Sequence, residues 1–276
     1  MEKQAVEIIS QIWDWLAWLI NSNFVAALAG AFAGAYAANR IAIKKERHTD
    51  LKNRIRDTNS AITVAALVSN KALALKGQYV LDLHKDFTHD LATFNEARDR
   101  HERNDPDAPE RIDFVFGLSE LPTLHSPTET LFTLVFDKVR IDGRPLGLML
   151  AIQEAHESLN LSINTRNQLC REFRPLTEQE RIARYFGAPS RDGIDEKYPD
   201  SVFNIYQSAN DLAFFSATLC ADLQKHGKEL VKAYEKEIGK PAPQINEAKF
   251  DTPRALDLMP PEAAYSDFLN MFQTKK

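Results

Sequence analysis

Cysteine is scarce in this chain: only Cys170 and Cys220 occur among 276 residues, each inside an apolar helical pattern. Two isolated thiols of that kind make neither a disulfide framework nor a zinc site, and they fit a reducing compartment. No GxxxxGK[ST], GxGxxG or GxSxG is present, so the usual phosphate-loop, dinucleotide and hydrolase signatures are missing. His156-Glu157 begins like HExxH, but Asn160 stands where the second histidine belongs. The Glu-x-x-His pair of bundle metal sites is also absent. There is no basic excess either. The net charge is −5, which gives no footprint for nucleic acid. These absences point to a non-enzymatic chain with no catalytic residue, cofactor or metal.

The most telling absence is local. Phe24 to Ala38 reads FVAALAGAFAGAYAA without one charge. With Asn39 to Ile43 it gives about 20 residues, the length that crosses a hydrocarbon core. The mean hydropathy of the whole chain is −0.36, so this apolar stretch is exceptional. The basic residues follow the apolar run instead of preceding it, unlike a cleaved signal peptide. Within the run Ala26, Gly30, Gly34 and Ala38 recur at steps of four and share one helix face. Gly30 to Gly34 is a GxxxG. In lipid, close backbone approach over such residues drives helix association, so the expectation is pairing of this helix with copies of itself or with another membrane helix.

Upstream, Trp13, Trp15 and Trp18 stand among Ile8, Ile9, Ile12, Leu16, Leu19 and Ile20, with a lone Asp14. Tryptophan favours the membrane–water boundary, so residues 5–20 read as a helix lying along the bilayer. Asn21-Ser22-Asn23 then reads as a break and cap. A tight hairpin of two spans is the alternative. Residues 40–56 hold seven Lys/Arg, including Arg40, Lys44, Lys45 and Arg47, against only Lys3 in residues 1–23. By the positive-inside rule the N-terminus faces out and the rest lies in the cytoplasm, its basic collar touching anionic lipid. Beyond residue 56 there are 26 basic and 34 acidic side chains, so the body is acidic.

The body reads as helix throughout. One stripe, Ala66, Leu73, Val80, Phe87 and Phe94, continues the membrane helix to about Arg103, with a kink expected near Gly77. Asn104 to Pro109 breaks it, and Arg111 to Phe116 alternates like a short strand. Helix resumes over about 128–139. A Gly143-Arg-Pro145 turn then leads to a stripe of Met149, Ile152, His156, Leu159, Ile163, Cys170 and Phe173. Glu178–Phe186 follows with Thr177 as its cap, residues 187–200 read as loop, and a last long helix carries Val202 through Leu230 up to Gly239. A proline-bearing tail ends in a short helix docking through Tyr265, Phe268, Leu269 and Phe272. His84, His156 and His226 fall on three different stripes and read as hydrogen-bonded core histidines.

The expected architecture is therefore all-α. An interfacial helix and single transmembrane helix (1–43) precede a cytoplasmic antiparallel helical bundle (44–240) and a proline-rich tail (241–276). In layout this resembles the membrane effectors of bacterial anti-phage systems, such as retron-associated and other abortive-infection proteins. That resemblance implies a short membrane segment joined to a soluble sensing domain whose triggering compromises the inner membrane. It carries over no site residues. The expected partners are membrane lipid, further copies of the chain and a cytosolic protein. A passive membrane-tethered adaptor is the competing reading, because a bundle surface alone can recognise a protein.

Overall fold

A computed structural model describes residues 2–21, 23–105, 107, 112–189 and 193–272. The described chain is all-helical, without strands. Helix α1 (Glu2–Asn21) is followed by α2 (Asn23–Leu75), a π turn (Lys76–Val80) and α3 (Leu81–Glu102). Ser22, in the expected break, lies outside the described residues. A short α4 (Thr128–Thr133) runs into a second π turn (Leu134–Val139) before α5 (Arg144–Phe173). Then come α6 (Glu178–Phe186), α7 (Lys197–Ile238), α8 (Pro253–Leu258) and α9 (Ser266–Met271).

Three long helices lie side by side, with α7 between α2 and α5. His48 bonds Tyr234 at 2.6 Å, Ser69 donates to the Ala213 carbonyl, and His84 stacks on Tyr206, so α7 runs against α2 and α3. Ser208 meets Ser158, and Arg144 grips Asp222 with both ends of its guanidinium, so α7 also runs against α5. The apolar stripes explain this packing. Every member of the α5 stripe is buried except His156, which is half-buried, and the α7 stripe behaves alike with His226.

The π turn changes the phase of the first helix. In α2 the heptad Thr58, Ala65, Ala72 is buried, and a straight continuation would bury Tyr79. Tyr79 is instead 43% exposed and Val80 is fully buried. The π turn holds one residue more per turn, which rotates the stripe by one position. The expected stripe is therefore right from Leu73 to Phe87, whereas Ala66 sits at its edge.

The core falls into three stretches along the helices. Nearest the apolar N-terminal segment, Leu51, Ile55, Leu230 and Tyr234 pack together. The main core follows, and beyond it an aromatic end of Phe87, Phe173, Tyr185, Phe186 and Tyr198. Residues 112–127 lie along α5 without strand pairing, which corrects the strand expected over 111–116 (Arg111 lies outside the described residues). Its alternation has another cause. Phe114, Phe116 and Leu118 pack into the aromatic end while Val115 is 91% exposed. Backbone groups that would need a partner strand are met by side chains of α5: Arg166 donates to the Ser119 and Gly117 carbonyls, and Asn167 binds both the N–H and C=O of Leu121.

Local signals set the other boundaries. Thr177 and Glu180 form a reciprocal capping box on α6, and Gly187 ends it in the left-handed region at φ 65°. Helix α7 starts at Lys197, inside the segment expected as loop, because Pro199 in a first turn needs no N–H partner. The tail runs back over the helices: Ile245 packs above Gly227, Leu258 above Gly77 and Phe272 above Gly147. Tyr265 stacks on Phe214 at 3.9 Å and donates to Asp211 at 2.8 Å.

Candidate membrane interface

Among the described residues one helix is long and apolar enough to cross a membrane. Its 18-residue window of highest hydropathy lies near the N-terminus and is 0% buried by the rest of the chain. At about 100° per residue, Val25, Leu28, Phe32 and Tyr36 fall on one side of α2. Ala26, Gly30, Gly34 and Ala38 fall on the other, drifting about 40° per step. A Cβ added to Gly30 or Gly34 would meet nothing within 4 Å. The small-residue face is therefore bare, and Leu28, Phe32 and Tyr36 opposite it are exposed, Phe32 at 69%.

Helix α1 has two unlike sides. Trp15, Ile8, Ile12, Leu16, Ile9, Trp13 and Val6 fill an arc of roughly 180°, with Trp15 at one edge and Trp13 near the other. Ser10, Asp14, Glu7 and Gln11 occupy the remainder, and Trp18 stands among them. Asp14 thus points away from the apolar arc. All three tryptophans are exposed, and the buried core begins only at Leu51.

The basic collar joins the apolar segment to the body without a break, since α2 continues through it as one helix. Arg40 lies 5.3 Å from the centre of the Tyr36 ring, a cation–π distance. Arg47 approaches Glu237 of α7 at 4.0 Å. Arg40, Ile43, Lys44 and Arg47 face the last turn of α7, Glu237 and Ile238, across an open cleft of about 400 Å³. Lys45 is exposed and is not among its walls. Sequence reasoning groups all four collar cations. It could not see this cleft, because only the fold brings the end of α7 to that level.

No group of three or more His, Cys, Asp or Glu suited to a metal exists among the described residues. The three striped histidines lie apart. His84 stacks on Tyr206, and 20 residues of α7, about 30 Å, separate that point from His226. His156 bonds the Leu124 carbonyl at 3.0 Å and Asn160 at 3.2 Å. His226 departs from the hydrogen-bonded expectation, since its Nε2 is buried without a hydrogen-bond partner, and His84 is held by ring contacts with Tyr206 and Phe203. Burial lowers the pKa of both His84 and His226, helped at His226 by the charge of Arg54. Cys170 and Cys220 are free and buried, and burial pushes both thiols up, Cys220 to about 11. Such thiols stay protonated and poorly nucleophilic at neutral pH.

Compared with protein-family models, curated proteins and solved structures, the chain matches none.

Proposed function

We propose that this chain is a membrane-anchored, self-associating effector. On a trigger sensed by its cytoplasmic helical bundle it perturbs the bacterial inner membrane, in antiviral defence. Helix α2 crosses the bilayer once with the N-terminus outside, α1 lies in the outer interface on its Trp13–Trp15 arc, and the basic collar stays inside. The observation that carries the reading is the bare face over Gly30 and Gly34. No described residue covers it, and lipid gives small residues no reason to be left so aligned unless another helix approaches.

The amphipathic α1 supports the perturbing role over simple tethering. A bare anchor needs only α2, whereas an interfacial helix wedges headgroups apart wherever copies gather. The test is expression of the full chain in bacteria, with its genomic neighbours and under phage challenge, following membrane potential. Depolarisation is expected in the parent and loss of it in Gly30→Leu/Gly34→Leu, whose larger side chains hold backbones apart. Anchored, cross-linkable chains that never depolarise the membrane would leave a passive tether and refute the effector role.

A further inference from the structure

We propose that the cleft between the collar of α2 and the last turn of α7 is a binding site for one anionic phospholipid headgroup whose polar end carries a hydroxyl. The proposal rests on the reading that α2 crosses a bilayer, and it names the ligand that the collar selects there.

Position comes first. Ile43, Lys44 and Arg47 stand three, four and seven residues after Arg40, so the four form one face of α2 directly after the apolar window. If residues 24–43 span the hydrocarbon, this face stands at headgroup depth. A second wall is needed to turn a charged helix face into a pocket, and Glu237 and Ile238 supply it. The hydrogen bond between His48 and Tyr234, one turn further in, fixes the spacing of the two walls.

Charge comes second. Three cations and one carboxylate line the cleft, which leaves an excess of two positive charges. Arg47 is engaged by Glu237 at 4.0 Å, whereas Arg40 and Lys44 enter no ion pair among the described residues. Two cations one turn apart suit a phosphodiester, with the planar guanidinium offering paired donors. Basic pockets at this depth on the cytoplasmic side are where anionic headgroups bind. Glu237 then discriminates. It repels a second phosphate but accepts a hydrogen bond from a headgroup hydroxyl, so a glycerol headgroup fits better than a more highly charged one. Ile43 and Ile238 give the glyceryl and first acyl carbons an apolar wall.

The test uses the full chain purified in detergent, titrated with phosphatidylglycerol or phosphatidylcholine of matched acyl chains, with bound lipid counted by native mass spectrometry. One tightly retained phosphatidylglycerol per chain is expected, at least tenfold preferred over phosphatidylcholine. Arg40→Gln/Lys44→Gln should lower its retention at least tenfold. Lys232→Gln/Lys236→Gln removes two exposed cations of α7 outside the cleft and should change it less than twofold. Equal losses in the two variants would show diffuse attraction and overturn the site. Displacement of the lipid by millimolar inorganic phosphate would overturn the lipid assignment in favour of a soluble anion. Failure of the parent chain to fractionate with membranes would overturn the anchoring reading and this site with it. A membrane-bound parent without lipid preference would overturn only the site.

Discussion

Gly227→Ala probes how firmly the C-terminal tail is clamped. The added Cβ would stand 2.7 Å from Cδ1 of Ile245, 3.1 Å from Cγ1 and 3.2 Å from Cγ2. Carbon atoms rest at about 3.5–4.0 Å, so the tail must retreat or Ile245 must leave its rotamer. Retreat is opposed on both sides of Ile245. Asn59 donates to the Gln244 carbonyl at 2.8 Å and accepts from the Asn246 N–H at 2.8 Å. Overpacking of this kind costs about 1–3 kcal/mol. Alanine in place of a helical glycine returns about 1 kcal/mol. The single variant should therefore lose up to about 2 kcal/mol, the difference of these two terms.

Ile245→Val removes the atom at 2.7 Å and by itself costs about 0.5–1.5 kcal/mol. In the double variant the alanine methyl no longer meets that atom, so the pair should be more stable than the two losses predict, by about 1 kcal/mol. Thermal unfolding of the full chain in detergent reads this, since about 1 kcal/mol moves Tm by about 2–4 °C at this size. Tryptic cleavage at the exposed Lys249 reports the tail directly. An additive cycle, or a raised Tm with an equally protected tail, would refute the clamp.

Two further outcomes follow from buried polar groups. Burial lowers the pKa of His84 and His226, so the folded state prefers both neutral. That contribution is complete above the unfolded value of about 6.5 and is lost as pH falls through it. Tm should therefore drop between pH 7.5 and pH 5.5, and His84→Gln/His226→Gln should flatten the drop. An unchanged profile in the variant would exclude these histidines as its cause. Arg166 is 1% exposed and donates at 2.7 and 2.6 Å to the Ser119 and Gly117 carbonyls. Arg166→Met keeps the bulk but strands those acceptors, and should cost about 3 kcal/mol. Earlier proteolysis at Glu120 should accompany it, and an undisturbed segment 112–121 would contradict the assignment.

Much of the fold can be read from spacing, because α5 and α7 keep one uninterrupted helical period and bury one stripe each. Capping chemistry is equally local, so Thr177 at α6 is legible on its own. Three features are not. The alternation of Phe114, Val115 and Phe116 records two environments, and it reads the same whether a neighbouring strand or a helix supplies the inner one. The turn at Lys76–Val80 rotates the stripe by one residue, and nothing at Gly77 announces the direction of that change. Helix α8 has a local signal in Thr252-Pro253, a cap followed by a first-turn proline, but it is hidden among the other prolines of the tail. At the candidate interface the small-residue face is legible within one helix. The cleft is not, because one of its walls comes from residues some 200 positions later.

The unbroken run of α2 from Asn23 to Leu75 has a mechanical consequence. A helix rises about 1.5 Å per residue, so the body near Ala72 stands about 60 Å from a crossing point at Phe32. Crossings over GxxxG are angled at about 40°. With no joint between span and body, two copies meeting in the bilayer would act as an open pair of scissors, their far ends about 40 Å apart from these dimensions. Partners gripping two bodies side by side would force the blades closed and pull the glycines out of register. Contact between the bodies and contact within the bilayer would then compete along a single rigid rod, and whatever binds one end would set the state of the other.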